Sequence, residues 1–105
     1  MVCMLVAVAL FEIHIEYAQS LKEKRMVVKS LRDKLRHRFE ISAAEVGLQD
    51  VHQRARLAVS FIALEHAQAD AKLERIEEFI ASNTDATLVG STREKLEFDE
   101  TIGFG

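Results

Sequence analysis

Four strand-like segments and two amphipathic helical segments follow one another in the order β-α-β-β-α-β, and that order predicts an α+β sandwich. Three observations carry the prediction. Val2 to Ile15 is a long run rich in valine and isoleucine. Residues 21–38 and 67–82 repeat apolar side chains at steps of three and four. Two shorter apolar runs, split by a polar turn, lie between these helices, and one more follows the second helix.

Strand one covers Val2 to Ile15. Its second half alternates, with Phe11, Ile13 and Ile15 on one face and Glu12, His14 and Glu16 on the other. Traced backward, the second face becomes Met4, Val6, Val8 and Leu10, so the strand is apolar on both sides. That is the mark of a central strand, or of one whose second face meets a partner. Helix one, residues 21–38, opens on a capping box: the Ser20 hydroxyl can accept from the Glu23 amide, and the Glu23 carboxylate can reach back to the Ser20 amide. Leu21, Val28, Leu31 and Leu35 form its apolar face, flanked by Val27 and Phe39. Lys24 falls on that apolar side, and the expectation is that it snorkels past the sheet end or pairs with an acid such as Glu16.

Ile41 to Gln49 reads as strand two and Arg54 to Leu64 as strand three, the latter with Leu57, Val59 and Phe61 on one face. The turn between them is polar, Gln49-Asp50-Val51-His52-Gln53. Helix two covers Ala67 to Ser82, with Ala69, Leu73, Ile76 and Ile80 on its apolar face and Asn83 as a left-handed stop. Ala86 to Phe98 supplies strand four. The chain therefore reads as one domain over residues 1–98, with an acidic tail over 99–105 that frays from Glu97 onward. Right-handed crossovers turn this order into a ferredoxin-like sandwich: an antiparallel sheet of order 4-1-3-2, with both helices on one face. This topology brings the Ser20 helix start and the Gln49–Gln53 turn to the same end of the molecule.

Composition narrows the function classes. With 49% hydrophobic residues and mixed charge, the chain is an ordinary globular protein able to bury roughly 60–65% of its unfolded surface. One cysteine, Cys3, excludes an intramolecular disulfide and fits a reducing compartment; it reads as a small buried apolar residue. The apolar start of the chain has no basic flank or cleavage site and is far short of the roughly 20 residues of a membrane span, so a cytoplasmic protein with no membrane partner is expected. The net charge of −3 is uneven. Residues 22–38 hold 8 of the 14 basic residues and 2 of the 17 acidic ones, a net of +6, and the rest of the chain carries −9. A general polyanion binder is disfavoured, and a local anion site is permitted.

Two segments resemble a known family. One is Ser20-Leu21-Lys22-Glu23-Lys24-Arg25 followed by Val27-Val28-Lys29-Ser30-Leu31. The other is Ala44-Glu45-Val46, then Gln49-Asp50, then Gln53-Arg54-Ala55. In this order and separation they resemble the YlxP-like family of small bacterial proteins, a domain of unknown function. The resemblance runs from strand one to about Leu96. It implies a ferredoxin-like fold and a genomic setting among translation and ribosome-maturation factors. It implies no activity and no catalytic residues. Gln19 stands where the family more often has histidine, and the tail after Phe98 is peculiar to this chain.

Lys22, Arg25, Lys29, Arg32 and Arg36 step by three and four along helix one and form a cationic stripe beside the apolar face. With Arg54 from strand three, these are the candidate phosphate-binding residues, and Gln49, Asp50, His52 and Gln53 form a candidate polar site at the same end. The bland reading is a charged face that keeps the protein soluble. No aromatic residues interleave with the stripe, so bound nucleic acid is expected to be held by its backbone or duplex shape rather than by base stacking.

Glu12, His14 and Glu16, with Asp50 and His52 nearby, match no metal motif and read as the wet end of an open sheet face; His37 and His66 read as surface residues. No catalytic residue, metal or cofactor is expected. Met4, Val6, Val8 and Leu10, joined by Ala58 and Ile62, form an apolar patch on the open face, covered by a second copy or by the tail through Phe98, Ile102 and Phe104. The leading expectation is a non-enzymatic RNA- or ribosome-associated factor with ribosomal RNA or a ribosomal particle as partner. The alternatives are a homodimer or other homo-oligomer built on the sheet face, and a small ligand-binding or enzymatic domain around Glu12, His14, Asp50 and His52.

Overall fold

The computed structural model describes residues 2–48, 51, 53–83 and 85–99, with side chains from residue 4. The elements run β1 (Val2–His14), α1 (Leu21–Phe39), β2 (Ser42–Glu45), β3 (Arg54–Ala63), α2 (His66–Ala81) and β4 (Thr87–Asp99). They build one antiparallel sheet of order β2-β3-β1-β4, which is the expected order read from the other edge. The fold is ferredoxin-like, with both helices on one face.

Strict alternation along β1 separates core from open face. Leu5, Ala7, Ala9, Phe11 and Ile13 are each at most 2% exposed and point toward the helices. Ala55, Leu57, Val59, Phe61 and Ala63 of β3 join them. From the helices come Val28, Leu31 and Leu35 of α1 and Ala69, Leu73, Ile76 and Ile80 of α2. Each helix thus buries one stripe, as its 3.6-residue period requires. Phe39 and Phe79 close the helix–helix contact edge-to-face, with ring centroids 5.8 Å apart, and the Arg38 guanidinium lies 5.2 Å from the Phe79 centroid.

Helix α1 starts as the sequence suggests, with one difference. The Glu23 amide donates to Ser20 Oγ at 3.1 Å, but the Glu23 carboxylate reaches the Gln19 amide at 2.7 Å, one residue earlier than the expected Ser20 amide. At the other end, Glu40 takes the left-handed conformation (φ 53°) and its amide donates to the Arg36 carbonyl at 3.0 Å.

Several boundaries move. β2 is only Ser42–Glu45, because the chain leaves the sheet through two positive-φ residues, Gly47 (66°) and Leu48 (53°). Asn83 is not a left-handed stop. Helix α2 ends at Ala81, and the Asn83 side-chain oxygen instead accepts from the Asp85 amide at 2.8 Å, a side-chain turn of the kind asparagine favours. Glu97, Phe98 and Asp99, expected to fray, belong to β4; residues 100–105 of the expected tail lie outside the described residues.

The junction of α2 with β4 is polar. The helix-facing positions of β4 are Ser91, Arg93, Lys95 and Glu97, where a buried sheet would carry apolar residues. Arg93 and the Ser91 hydroxyl meet Glu77 at 2.8 and 3.0 Å, Lys95 meets Asp70 at 2.8 Å, and Glu97 meets His66. β4 therefore runs along the outside of the helix layer, joined to it by ion pairs.

Two outcomes follow from these contacts. Ser20→Ala removes the helix cap and is expected to cost about 1 kcal/mol, lowering the thermal midpoint by roughly 4–8 °C in circular dichroism, while Ser30→Ala on the exposed side of the same helix leaves it unchanged. The hydrogen bond from Lys95 holds the Asp70 carboxyl below its ordinary range. A depressed folded-state pKa stabilises above the unfolded value and is lost as pH falls through the folded one. Asp70→Asn should therefore be less stable than the parent at neutral pH, and urea midpoints should show the gap closing as pH drops through the carboxylate range.

Candidate nucleic-acid interface

The rotation of α1 about its axis is set by its buried stripe, and Lys24 is part of that stripe. Its side chain is 0% exposed, and its ammonium lies 3.1 Å from Glu45 Oε2 and donates to the Leu48 carbonyl at 2.8 Å. The expected pairing with Glu16, or escape to solvent, does not occur: the lysine points under the helix toward the end of β2, where Glu45 is nearer. The Glu45 oxygen is itself buried and meets Lys24 as an ion pair without hydrogen-bond geometry. One lysine thus ties the first turn of α1 to the β2–β3 connection. The Ile15 amide adds a bond to the Gln53 carbonyl at 2.8 Å, and the Gln53 side chain donates to the Glu16 carbonyl at 3.3 Å. The helix start and the turn before β3 meet at one end of the molecule, as the topology requires.

With Lys24 inward, Lys22, Arg25 and Lys29 point outward. All three are exposed and make no ion pair among the described residues. The other members of the stripe are partly engaged. Arg32 pairs with the adjacent Asp33 at 3.1 Å. Arg36 directs Nε and Nη2 onto the Ala43 carbonyl at 3.0 and 2.6 Å, closing a backbone acceptor on the free edge of β2. The stripe therefore borders that edge, and its uncommitted charge is concentrated in the first half of the helix.

Arg54 does not join the stripe. It shares the end of the molecule with Lys22, but β3 alternation puts it on the opposite face of the sheet, where it and Arg56 hold Glu12 at 3.5 and 3.0 Å. Glu12 and His14 do share the open face, and Glu12 is engaged by two arginines rather than left as a ligand. Gln49, Asp50 and His52 lie outside the described residues; Gln53 is spent on the backbone bonds above. Among the described residues no group of histidines, cysteines or acids is placed to hold a metal ion. A shallow hollow of about 300 Å³ beside Glu12 is lined by Leu10, Arg56, Gly90, Ser91 and Thr92, and its charged groups neutralise one another.

Sequence reasoning passed over one aromatic residue. Tyr17, in the loop before the helix cap, is 79% exposed. It borders a hollow of about 290 Å³ with Glu23, Met26, Val27 and Asp85. Its lining carries two acids, Glu23 and Asp85. The signal available in the sequence was its position: the chain's one tyrosine stands in a polar loop just before the capping box.

Removing the lysine that orients this surface has a measurable consequence. Lys24→Met leaves the buried Glu45 oxygen and the Leu48 carbonyl without their cation and is expected to lower stability by about 3 kcal/mol in chemical denaturation. Replacing Glu45 with methionine as well should recover most of the loss.

Comparison with known proteins places this geometry in context. A family model described as a protein of unknown function (DUF503) matches residues 6–93. The chain is similar to an uncharacterized protein of Bacillus subtilis (strain 168), YlxP, at 35% identity over 65 residues, 62% of this chain and 71% of that protein. Among solved structures, it resembles a C-terminal segment of the alpha subunit of aIF2 from Pyrococcus abyssi, with 19% identity and a TM-score of 0.47; the match covers 96% of this chain and about half (54%) of that one. It also resembles a de novo designed protein with a ferredoxin fold, with 16% identity and a TM-score of 0.45, covering 96% of this chain and 93% of the design.

Proposed function

We propose that this chain, which belongs to the DUF503 family of proteins of unknown function, is a non-enzymatic cytoplasmic factor that grips the phosphate backbone of ribosomal RNA through α1. The observation that carries this reading is the row of Lys22, Arg25 and Lys29: exposed, on one flank, and without ion pairs among the described residues. A merely solvating surface interleaves both signs of charge, as the α2–β4 junction does. Here the cations stand together while the remainder of the chain is acidic, so the molecule presents one attractive side to a polyanion and repels it elsewhere. The first turn of α1 adds the positive end of the helix dipole to the same region. The stripe lacks aromatic residues, which favours contact with backbone phosphates over stacked bases.

The reading has a numerical form. Three phosphates neutralised give a log–log salt slope of about −2 to −3 in anisotropy titrations against ribosomal RNA fragments. Arg25→Glu combined with Lys29→Glu is expected to lower affinity at least about tenfold and to flatten that slope, with the fold intact because both positions are exposed. Absence of binding at low salt, or binding indifferent to the reversal, ends the proposal.

A further inference from the structure

The short connection between β1 and α1 holds an aromatic ring in solvent. Ile15 and Ala18 are 2% and 3% exposed and anchor the connection in the core. The Ala18 amide donates to the Ile15 carbonyl at 3.1 Å, which closes these four residues into a turn. Its two central positions, Glu16 and Tyr17, are thereby turned outward, and Tyr17 reaches 79% exposure. Met26, in the second turn of α1, is 64% exposed. Both side chains border the hollow of about 290 Å³, with the buried Ile15 and Ala18 and the half-buried Val27 beneath them.

The rim of this hollow is acidic. The Asp85 carboxylate makes no ion pair or hydrogen bond among the described residues. Glu23 spends Oε2 on the Gln19 amide and leaves Oε1 uncommitted among the described residues. None of the described residues lining the hollow is basic.

We propose that the hollow receives an arginine side chain from a basic segment of a partner protein. Charge selects a cation, because two carboxylates at the rim have no cation of their own. The lining selects a side chain that is apolar along its stem and charged at its tip. Its methylenes lie against Met26 and Val27, and its head lies over the Tyr17 ring within reach of the carboxylates. Arginine suits this better than lysine, since a planar guanidinium stacks on an aromatic face and forks onto a carboxylate. Size agrees: pockets that enclose a whole ligand run from roughly 300 to 1,000 Å³, so this hollow takes one side chain rather than a complete small molecule. A tyrosine and a methionine are also the residue types favoured at protein interfaces, and a turn already anchored at both ends has little left to order on binding.

Tyr17 supplies its own reporter. It is the one tyrosine of a chain without tryptophan, so its emission reads this hollow alone. Acetyl-Gly-Arg-Gly-amide titrated into the full chain is expected to change that emission saturably, with a dissociation constant of about 1 mM. The same peptide with citrulline, which keeps the shape and loses the charge, should leave the emission unchanged, and the lysine peptide should bind at least about threefold more weakly. Asp85→Asn should weaken the arginine peptide at least about threefold. Tyr17→Ala, followed through the amide chemical shifts of α1, should abolish binding with an unchanged thermal midpoint, because the side chain is exposed. Arg25→Glu combined with Lys29→Glu should not weaken it, which separates this contact from the RNA reading. An emission indifferent to the arginine peptide, an equal response to citrulline, or binding that survives Tyr17→Ala overturns the proposal. So does an emission that changes with ribosomal RNA fragments and not with the peptide, which assigns the hollow to nucleic acid.

Discussion

A buried ammonium fixes the geometry on which the surfaces of this protein depend. A lysine at 0% exposure needs compensation for the loss of water, and Lys24 finds it in the Glu45 carboxylate and the Leu48 carbonyl. Those partners sit at the end of β2 and in the positive-φ exit that follows it. Both contacts require the first turn of α1 to lie over that exit. Its position in the apolar stripe also fixes the rotation of the helix. A turn of α1 by one residue, about 100°, would withdraw the ammonium from Glu45 and swing Arg25 toward the core. The buried charge and the exposed charges are two consequences of one helical phase.

Elsewhere the sandwich solves its boundaries with charge rather than with apolar packing. Helix α2 buries four apolar side chains completely, but its edge against β4 is joined by Glu77, Asp70 and His66 reaching Arg93, Lys95 and Glu97. Exposed pairs of this sort contribute little individually. Their alternation matters more: acids on the helix and mainly bases on the strand cancel along the junction, so this side of the molecule presents no strong field. The contrast with the outward row on α1 is what gives the chain a distinct cationic side despite its net negative charge.

The sequence made the architecture legible because the apolar periods are clean. β1 alternates without interruption, both helical stripes have every core residue at the expected spacing, and the capping box marks the start of α1 to the residue. What stayed hidden depended on three-dimensional proximity. Nothing in local pattern says that Lys24 prefers Glu45 to Glu16, since the choice follows from where β2 ends. Nothing local says that Arg36 will close the Ala43 carbonyl, or that Arg54 will turn toward Glu12 on the far face of the sheet, although strand alternation from the buried Ala55 held that answer once the pairing with β1 was known. The short β2 was missed for a related reason. Its exit uses Leu48 at positive φ, a conformation leucine rarely signals, and tertiary contact with Lys24 stabilises it. Phe98 looked like tail because its neighbours are acidic, yet it pairs opposite Met4 and extends the apolar face.

The cationic row and the apolar rows lie on opposite sides of the sheet because two different periods place them. The phase of α1 sends Lys22, Arg25 and Lys29 outward, and strand alternation sends Val6, Ile62 and Leu96 to the face away from the helices. A change in the phase of α1 would therefore move the first surface and leave the second where it is. The polar junction of α2 with β4 belongs to neither: Arg93 and Lys95 sit at helix-facing positions and are held by Glu77 and Asp70. Charge at the sheet edge is thus neutralised within the fold, and the outward charge of α1 is left as the one unbalanced row on that helix.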